Sequence, residues 1–414
     1  MRRGLEKNFL LCRFQLSERN TGKETFKPMA HSNTILRQLF TPELRNTFAA
    51  IVRKHEGDKG VRTLTCWNQL LVMLFAQLTG RHSLRDIASG FNAGCKHLYH
   101  LGAKQVSYST LAHANKTRPW VMYQELALEL YNMCCKSRPV QKRFRFKSKL
   151  FIMDASVIAL CLSLYPWAKY RTKKGAVKIH TLLDWSGSLP AFMVITDGKV
   201  HDSHAAWDLP LEPGSIIVFD RGYIDYALLY HHHKKGRFFV TRLKKNSRWR
   251  RVASRKADRK NGVICDQDIR IIGTSAHKYP ESLRRVRFCA DDGNVYEFLT
   301  NRFDLAAATI ADIYKARWDV ELFFKWIKQN LKIKSYMGTS QNAVFTQIWI
   351  AICAYLMLSY HRFLSGSRLA LSRILSLIQL YVFSSHLLDD MLHEKWKHLP
   401  VVVVANRQLT LEGF

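Results

Sequence analysis

Three acids stand out in a chain whose 64 Lys+Arg outnumber its 32 Asp+Glu. Asp154 and Asp220 each close an apolar run, Leu-Phe-Ile-Met-Asp at 150–154 and Ile-Ile-Val-Phe-Asp at 216–220. The third, Glu321, lies among Tyr314, Arg317 and Lys328, at offsets of 3, 7 and 14 residues from the tyrosine. On a helix turning about 100° per residue, those four side chains fall within an arc of roughly 60°. Carboxylates from several elements are what a hard divalent cation takes as ligands. Arginine and lysine on the same face can hold phosphate oxygens, and the phenol can stack or orient. Each part also has an ordinary reading. A strand-end Asp is commonly a cap or loop ligand, and Arg317 with Glu321 is an i,i+4 ion pair.

The elements that must position these groups follow from periodicity. Residues 30–140 repeat apolar side chains at helix spacing, through Leu36, Leu39, Phe40, Leu44 and Phe48 and again from Leu70 to Leu78. Arg81, Arg85, Lys96, His97 and Lys104 on successive short helices would suit a helix-turn-helix-like DNA reader; a helical bundle with a solvated basic face is the alternative. From residue 148 the pattern turns to strands at 149–154, 178–184, 191–196, 215–220 and 237–242, with a helix near 223–235. The stretch 244–300 reads as an inserted β subdomain, and one long helix is predicted from 305 to 332. The fold class expected is therefore α/β, with an all-α region in front.

Composition narrows the partner. A formal net charge of +32 points to an anionic polymer or surface, while 47% hydrophobic residues exclude disorder and supply a core. Between 234 and 260 there are thirteen Lys/Arg and one acid, Asp258. The nine cysteines form no CxxC pair, so neither a zinc ribbon nor a thioredoxin-like motif is supported. Leu64–Leu78 and Val344–Leu358 are apolar but short of a membrane span, and both are read as buried helices. Residues 1–29 precede the regular pattern and are expected to be an unstructured extension.

The surroundings of the three acids carry a resemblance. MDAS (153–156), FDRGY (219–223) and YKARWDVELFFKWIKQ (314–329) resemble the three catalytic blocks of bacterial insertion-sequence DDE transposases. More narrowly they are similar to the IS-four group, whose Tyr-x2-Arg-x3-Glu-x6-Lys signature matches at Tyr314, Arg317, Glu321 and Lys328. SLRDIASGF and STLAHANKTRPW resemble the helical domain that precedes the catalytic core in one branch of that group. The likeness spans about residues 30–360, and from about 361 the chain departs from the pattern.

The resemblance implies a ribonuclease-H-like catalytic domain at 145–360, interrupted by a β insertion at about 244–300. A helical DNA-binding domain at 30–140 would precede it and a helical region at 361–414 would follow. It implies that Asp154, Asp220 and Glu321 are catalytic and bind two Mg²⁺, with Mn²⁺ able to substitute. Tyr314, Arg317, Lys328, Arg221, Lys244, Lys245, Arg248, Trp249, Arg250 and Arg251 are then expected on DNA, with Trp249 or Trp318 a candidate wedge beside a flipped nucleotide. The activity implied is cut-and-paste cleavage and strand transfer at element ends, through a hairpin. The partners implied are double-stranded DNA (terminal inverted repeats and target), a second copy in a homodimer, and no membrane, in a bacterial cytoplasm near the nucleoid. Two alternatives stay open: a catalytically inert, element-derived DNA-binding repressor, and a metal nuclease that cuts without joining. His201, His204, the 231–233 histidine tract, Asp184, Asp197 and Asp225 are expected in capping, packing or supporting roles.

Overall fold

Hydroxyl caps start most of the early helices. Thr34, Thr41, Thr65, Ser83 and Ser107 each accept a hydrogen bond from the backbone N–H three residues on, satisfying a donor the first turn would leave unpaired. The computed structural model describes residues 34–139, 144, 146–171, 174–197 and 202–395. The expected extension at 1–29, His201 and the chain beyond 395 lie outside the described residues.

The helices in front are α1 (Ile35–Gln38), α2 (Pro42–Lys54), α3 (Cys66–Thr79), α4 (Leu84–Ala93), α5 (Cys95–Leu101), α6 (Tyr108–Thr117) and α7 (Val121–Ser137). Helix α6 falls within the stretch 30–140 expected to be helical, though it was not delimited there as a separate helix. Strands follow as β1 (Leu150–Leu160), β2 (Lys169–Arg171), β3 (Lys174–Asp184) and β4 (Leu189–Asp197). After the short α8 (Asp202–Ala205) come β5 (Ile216–Phe219), α9 (Tyr226–Lys234) and β6 (Phe238–Arg242). The insertion holds β7 (Trp249–Arg255), β8 (Val263–Ile271), β9 (Leu283–Cys289) and β10 (Val295–Thr300). Helices α10 (Ala307–Lys315), α11 (Trp318–Asn330), α12 (Gln341–Ser365), α13 (Leu371–Tyr381) and α14 (Leu388–Leu392) complete the described chain.

One sheet runs β2-β3-β1-β5-β6-β10-β9-β8-β7, with β4 also on β3. Strands β1, β3 and β4 are antiparallel neighbours, whereas β5 and β6 run parallel to β1. Three antiparallel strands continued by two parallel ones make the ribonuclease-H-like order that the sequence led us to expect. The insertion extends this sheet rather than standing apart from it, because β10 pairs antiparallel with β6.

Strand alternation splits the core between the two faces. Ile152, Ile216 and Val218 join one apolar cluster, with α10, α11 and α12; Phe151, Met153, Ile217 and Phe219 join the other, with α9. All four residues of β5 are buried, as a central parallel strand covered on both sides requires. The first cluster also contains the helices of 34–139, and α12 packs on α3, α6 and α7. Helix α12 is, among the described residues, the one helix long and apolar enough to cross a membrane, but 94% of that window is buried inside the protein. It is the core helix that its apolar sequence predicted.

Candidate active site

Asp154 and Asp220 meet where the sheet divides. Strands β1 and β5 run parallel, with Met153 beside Phe219 in register, and each acid is the next residue along. Strand β5 stops at Phe219 and the chain enters a 3₁₀ turn, Arg221–Tyr223, that the Asp220 carboxylate caps. Strand β1 does not stop at its acid: it continues to Leu160, held by β3, with Asp154 opposite Thr181. The sequence expectation of a strand ending at Asp154 was therefore too short. The pairing partner that ends is β5, and this opens a gap at the side of Asp154.

The third acid arrives on α11. Val320, Phe323, Phe324 and Ile327 are buried and press that helix against the sheet, leaving Glu321 half-buried on its flank. The single long helix predicted over 305–332 is two helices, with Ala316 and Arg317 forming the joint between α10 and α11. Both joint residues keep right-handed helical dihedrals, so Tyr314, Arg317 and Glu321 still converge. The Tyr314 hydroxyl donates to Asp220 Oδ1 at 3.4 Å. Arg317 reaches two acids at once, Glu321 Oε1 at 2.6 Å and Asp154 Oδ2 at 3.6 Å. Lys328, two turns further on, donates to the Val157 carbonyl of β1 at 3.3 Å.

Electrostatics follow this wiring. Burial pushes the Asp154 carboxyl up to about 6; the Ala155 N–H and Arg317 pull it down, while Asp220 and Glu321 push it further up. Burial, with the Asp220 charge, takes the Tyr314 phenol up to about 12, so it stays a neutral donor at neutral pH. Burial opposes the charge on Arg317, but its hydrogen bond to Glu321 and the surrounding acids outweigh that and hold it cationic. Burial, with Lys334 nearby, lowers the Lys328 ammonium.

Comparison with known proteins identifies the family. The pattern of the Transposase DDE domain matches residues 145–357, just over half of the chain and all of the elements just described. The chain belongs to the DDE transposases. A second pattern, a domain of unknown function (DUF4372), matches residues 31–104. A Sinorhizobium fredii protein designated a transposase, y4zB, is 33% identical over 60% of this chain and 69% of its own length. The probable transposase for insertion sequence element IS5377 of Geobacillus stearothermophilus is 30% identical over 69% of this chain and 74% of its own. A solved synaptic complex of piggyBac transposase with hairpin DNA aligns over 89% of this chain and 82% of that one. At 11% identity and a TM-score of 0.41, it is too remote a likeness to bear on the site.

As a DDE transposase the protein is a DNA-binding enzyme that cleaves and transfers DNA strands, and its chemistry depends on divalent metal. The donor set fits such a cation, since carboxylate oxygens suit hard ions and cysteine and histidine are missing from the cluster. Among the described residues, no group of three or more His, Cys, Asp or Glu stands at metal-holding spacing. The Arg317 guanidinium lies between Asp154 and Glu321, ion-paired with both.

The other expected DNA contacts divide by exposure. Arg221 is half-buried in the turn after Asp220, and Lys244 donates to the Ile224 carbonyl at 2.9 Å, fastening the insertion's first residues to that turn. Lys245, Arg248, Arg250 and Arg251 are exposed. Trp249 is half-buried against the second cluster, with the Arg285 guanidinium 4.5 Å from its ring centre, whereas Trp318 is 56% exposed. Of the two wedge candidates, Trp318 is the one open to a ligand.

Several residues take structural roles. Asp184 makes the expected turn, accepting from the Ser186 N–H, and is also a buried partner of Arg138 and Tyr131. Asp225 caps α9. In the histidine tract, burial holds His232 down at about 4, bonded to the Ala206 carbonyl, while His231 meets Trp207 and His233 meets Tyr279 and Glu281. Sequence reasoning missed the Arg317–Asp154 pair, which joins distant segments and leaves no spacing signal.

Proposed function

We propose that Asp154, Asp220 and Glu321 are the catalytic, metal-holding carboxylates of an insertion-sequence transposase of the IS-four group. Residues 145–360 would carry the chemistry and 30–140 would bind DNA. The single observation that carries the reading is the convergence of the three acids, two at the β1/β5 division and one through Arg317. Two Mg²⁺ ions, replaceable by Mn²⁺, would supply an activated water and a stabilised leaving oxygen. The chain's own residues do the rest. Tyr314 orients the Asp220 carboxylate through its hydroxyl. Arg317, once another cation neutralises Asp154 and Glu321, is free to turn to a phosphate oxygen, for which its planar fork is suited. Lys328 adds a second positive charge on the β1 side.

The reaction proposed is cleavage at the element's terminal inverted repeats and joining to target DNA, by cut-and-paste through a hairpin. A homodimer assembled on the two ends, in a bacterial cytoplasm, is the form expected to act. A supercoiled donor plasmid carrying the element with its flanks, incubated with the full chain and Mg²⁺, tests this. Excised element and joined product are expected. Binding without cleavage would point to the inert repressor instead, and cleavage without joining to a nuclease.

A further inference from the structure

Helix α6 lies between the two matched regions, 31–104 and 145–357, so neither assigns it a role. Its inner side is fixed. Leu111, Ala114 and Asn115 are buried, and the Asn115 amide oxygen accepts from Gln69 of α3 at 2.7 Å. Its start is fixed as well: Ser107 caps it, the Asn92 side chain grips both backbone groups of Val106 at 2.9 Å, and Arg85 of α4 lies 5.0 Å from the Tyr108 ring centre. Ser109, His113 and Lys116 stand on the opposite side, four and three residues apart, and all are exposed. At about 100° per residue they share one face.

Charge says what that face can meet. From Arg81 to Arg118 there are six Lys/Arg and a single acid, Asp86, and that acid is bound to Arg81 at 2.8 Å. Solvated helix faces usually interleave both signs, and this one has no carboxylate to offer. Of the five side chains expected to form the DNA reader, Arg81 is tied to Asp86 and His97 stacks on Phe383 with ring centres 6.2 Å apart. Lys96 of α5 and Lys104, four residues ahead of α6, remain exposed. A rigid helix showing a hydroxyl, an imidazole and an ammonium is suited to the donor and acceptor pattern of base edges, and the major groove admits a helix.

We propose that α6 reads double-stranded DNA in the major groove through Ser109, His113 and Lys116, with Lys96 and Lys104 on the flanking phosphates. The inference rests on the reading that this transposase acts at specific DNA ends, but not on the three acids. It is tested by binding selection from randomised duplexes of about 30 base pairs, roughly three helical turns. The full chain is used without divalent metal, so that cleavage does not enter. The wild-type chain should enrich one consensus. The triple variant Ser109→Ala, His113→Ala, Lys116→Ala should keep its thermal melt and bind unselected duplex within about threefold. It should lose at least about tenfold of its preference for the consensus. His113→Asn alone should change the base chosen at one position, which keeps the question decidable if the triple variant melts early. Enrichment of the same consensus by the triple variant, with undiminished preference, would overturn the proposal. So would failure of the wild-type chain to enrich any sequence. A chain that selects a consensus through α6 yet never cleaves would count against the acid-site reading alone.

Discussion

The acid cluster and the outer edge of the insertion treat their charges in opposite ways. At the cluster every charge already has a partner: Asp220 has Tyr314, and Asp154 and Glu321 share Arg317. On β7 and the approach to it, Lys245, Arg248, Arg250 and Arg251 stand exposed on the last strand of the sheet. Burying a charge is costly unless it is paired, so the site can keep three acids together only by supplying its own cation. The edge faces no such demand. Its charges are spent on whatever anion arrives, and meanwhile they discourage pairing with another strand. On the proposed function, chemistry would sit where charge is balanced in advance, and capture where it is not.

That contrast can be broken by experiment. The largest effect is expected at the cluster: Asp154→Ala, Asp220→Ala or Glu321→Ala should lower cleavage by about a thousandfold or more, with duplex binding changed by no more than about twofold. Near-normal cleavage by any of the three removes that residue from the site. Next comes the edge. Replacing Lys245, Arg248, Arg250 and Arg251 by Gln should flatten the dependence of log affinity on log salt by about 3 to 4, and leave the cleavage rate of bound DNA nearly unchanged. An unaltered slope would mean the edge does not meet the phosphate backbone. The smallest effect sharpens the role of Arg317. Because burial raises the Asp154 carboxyl to about 6, and the proposed role requires it ionised, cleavage should fall below roughly pH 6, about tenfold per pH unit for one proton. Arg317 favours the ionised form, so Arg317→Ala should move this limb to higher pH by less than about one unit. A limb that stays put, or moves down, would show that Arg317 does not govern Asp154.

Much of this was legible in the residues. The apolar runs at 150–153 and 216–219 announced strands, and the acids that follow them marked where β1 and β5 lie side by side, although β1 continues past Asp154. The Tyr314, Arg317, Glu321 and Lys328 spacing survives the split into two helices, since a joint that keeps helical dihedrals barely disturbs the periodicity. What sequence could not reveal was pairing across distance. The bond between Arg317 and Asp154 depends on how α11 is pressed onto β1, and nothing local encodes it. Helix α6 was not delimited within the helical stretch for a different reason: its buried side is short, with Leu111, Ala114 and Asn115 giving only a brief periodic signal before the longer α7.

The attachment of β10 to β6 sets a fixed spacing between the acids and the basic edge. Because the insertion's strands continue the sheet that carries Asp154 and Asp220, its outer edge is joined to the acids by an unbroken run of paired strands. From β5, which delivers Asp220, to β7 the sheet order counts five steps. At about 4.8 Å per step that is roughly 24 Å, or about seven base pairs along a duplex. If the edge holds DNA and the acids cut it, as proposed, a strand added to or removed from the insertion would reset the distance between the two without altering the acids.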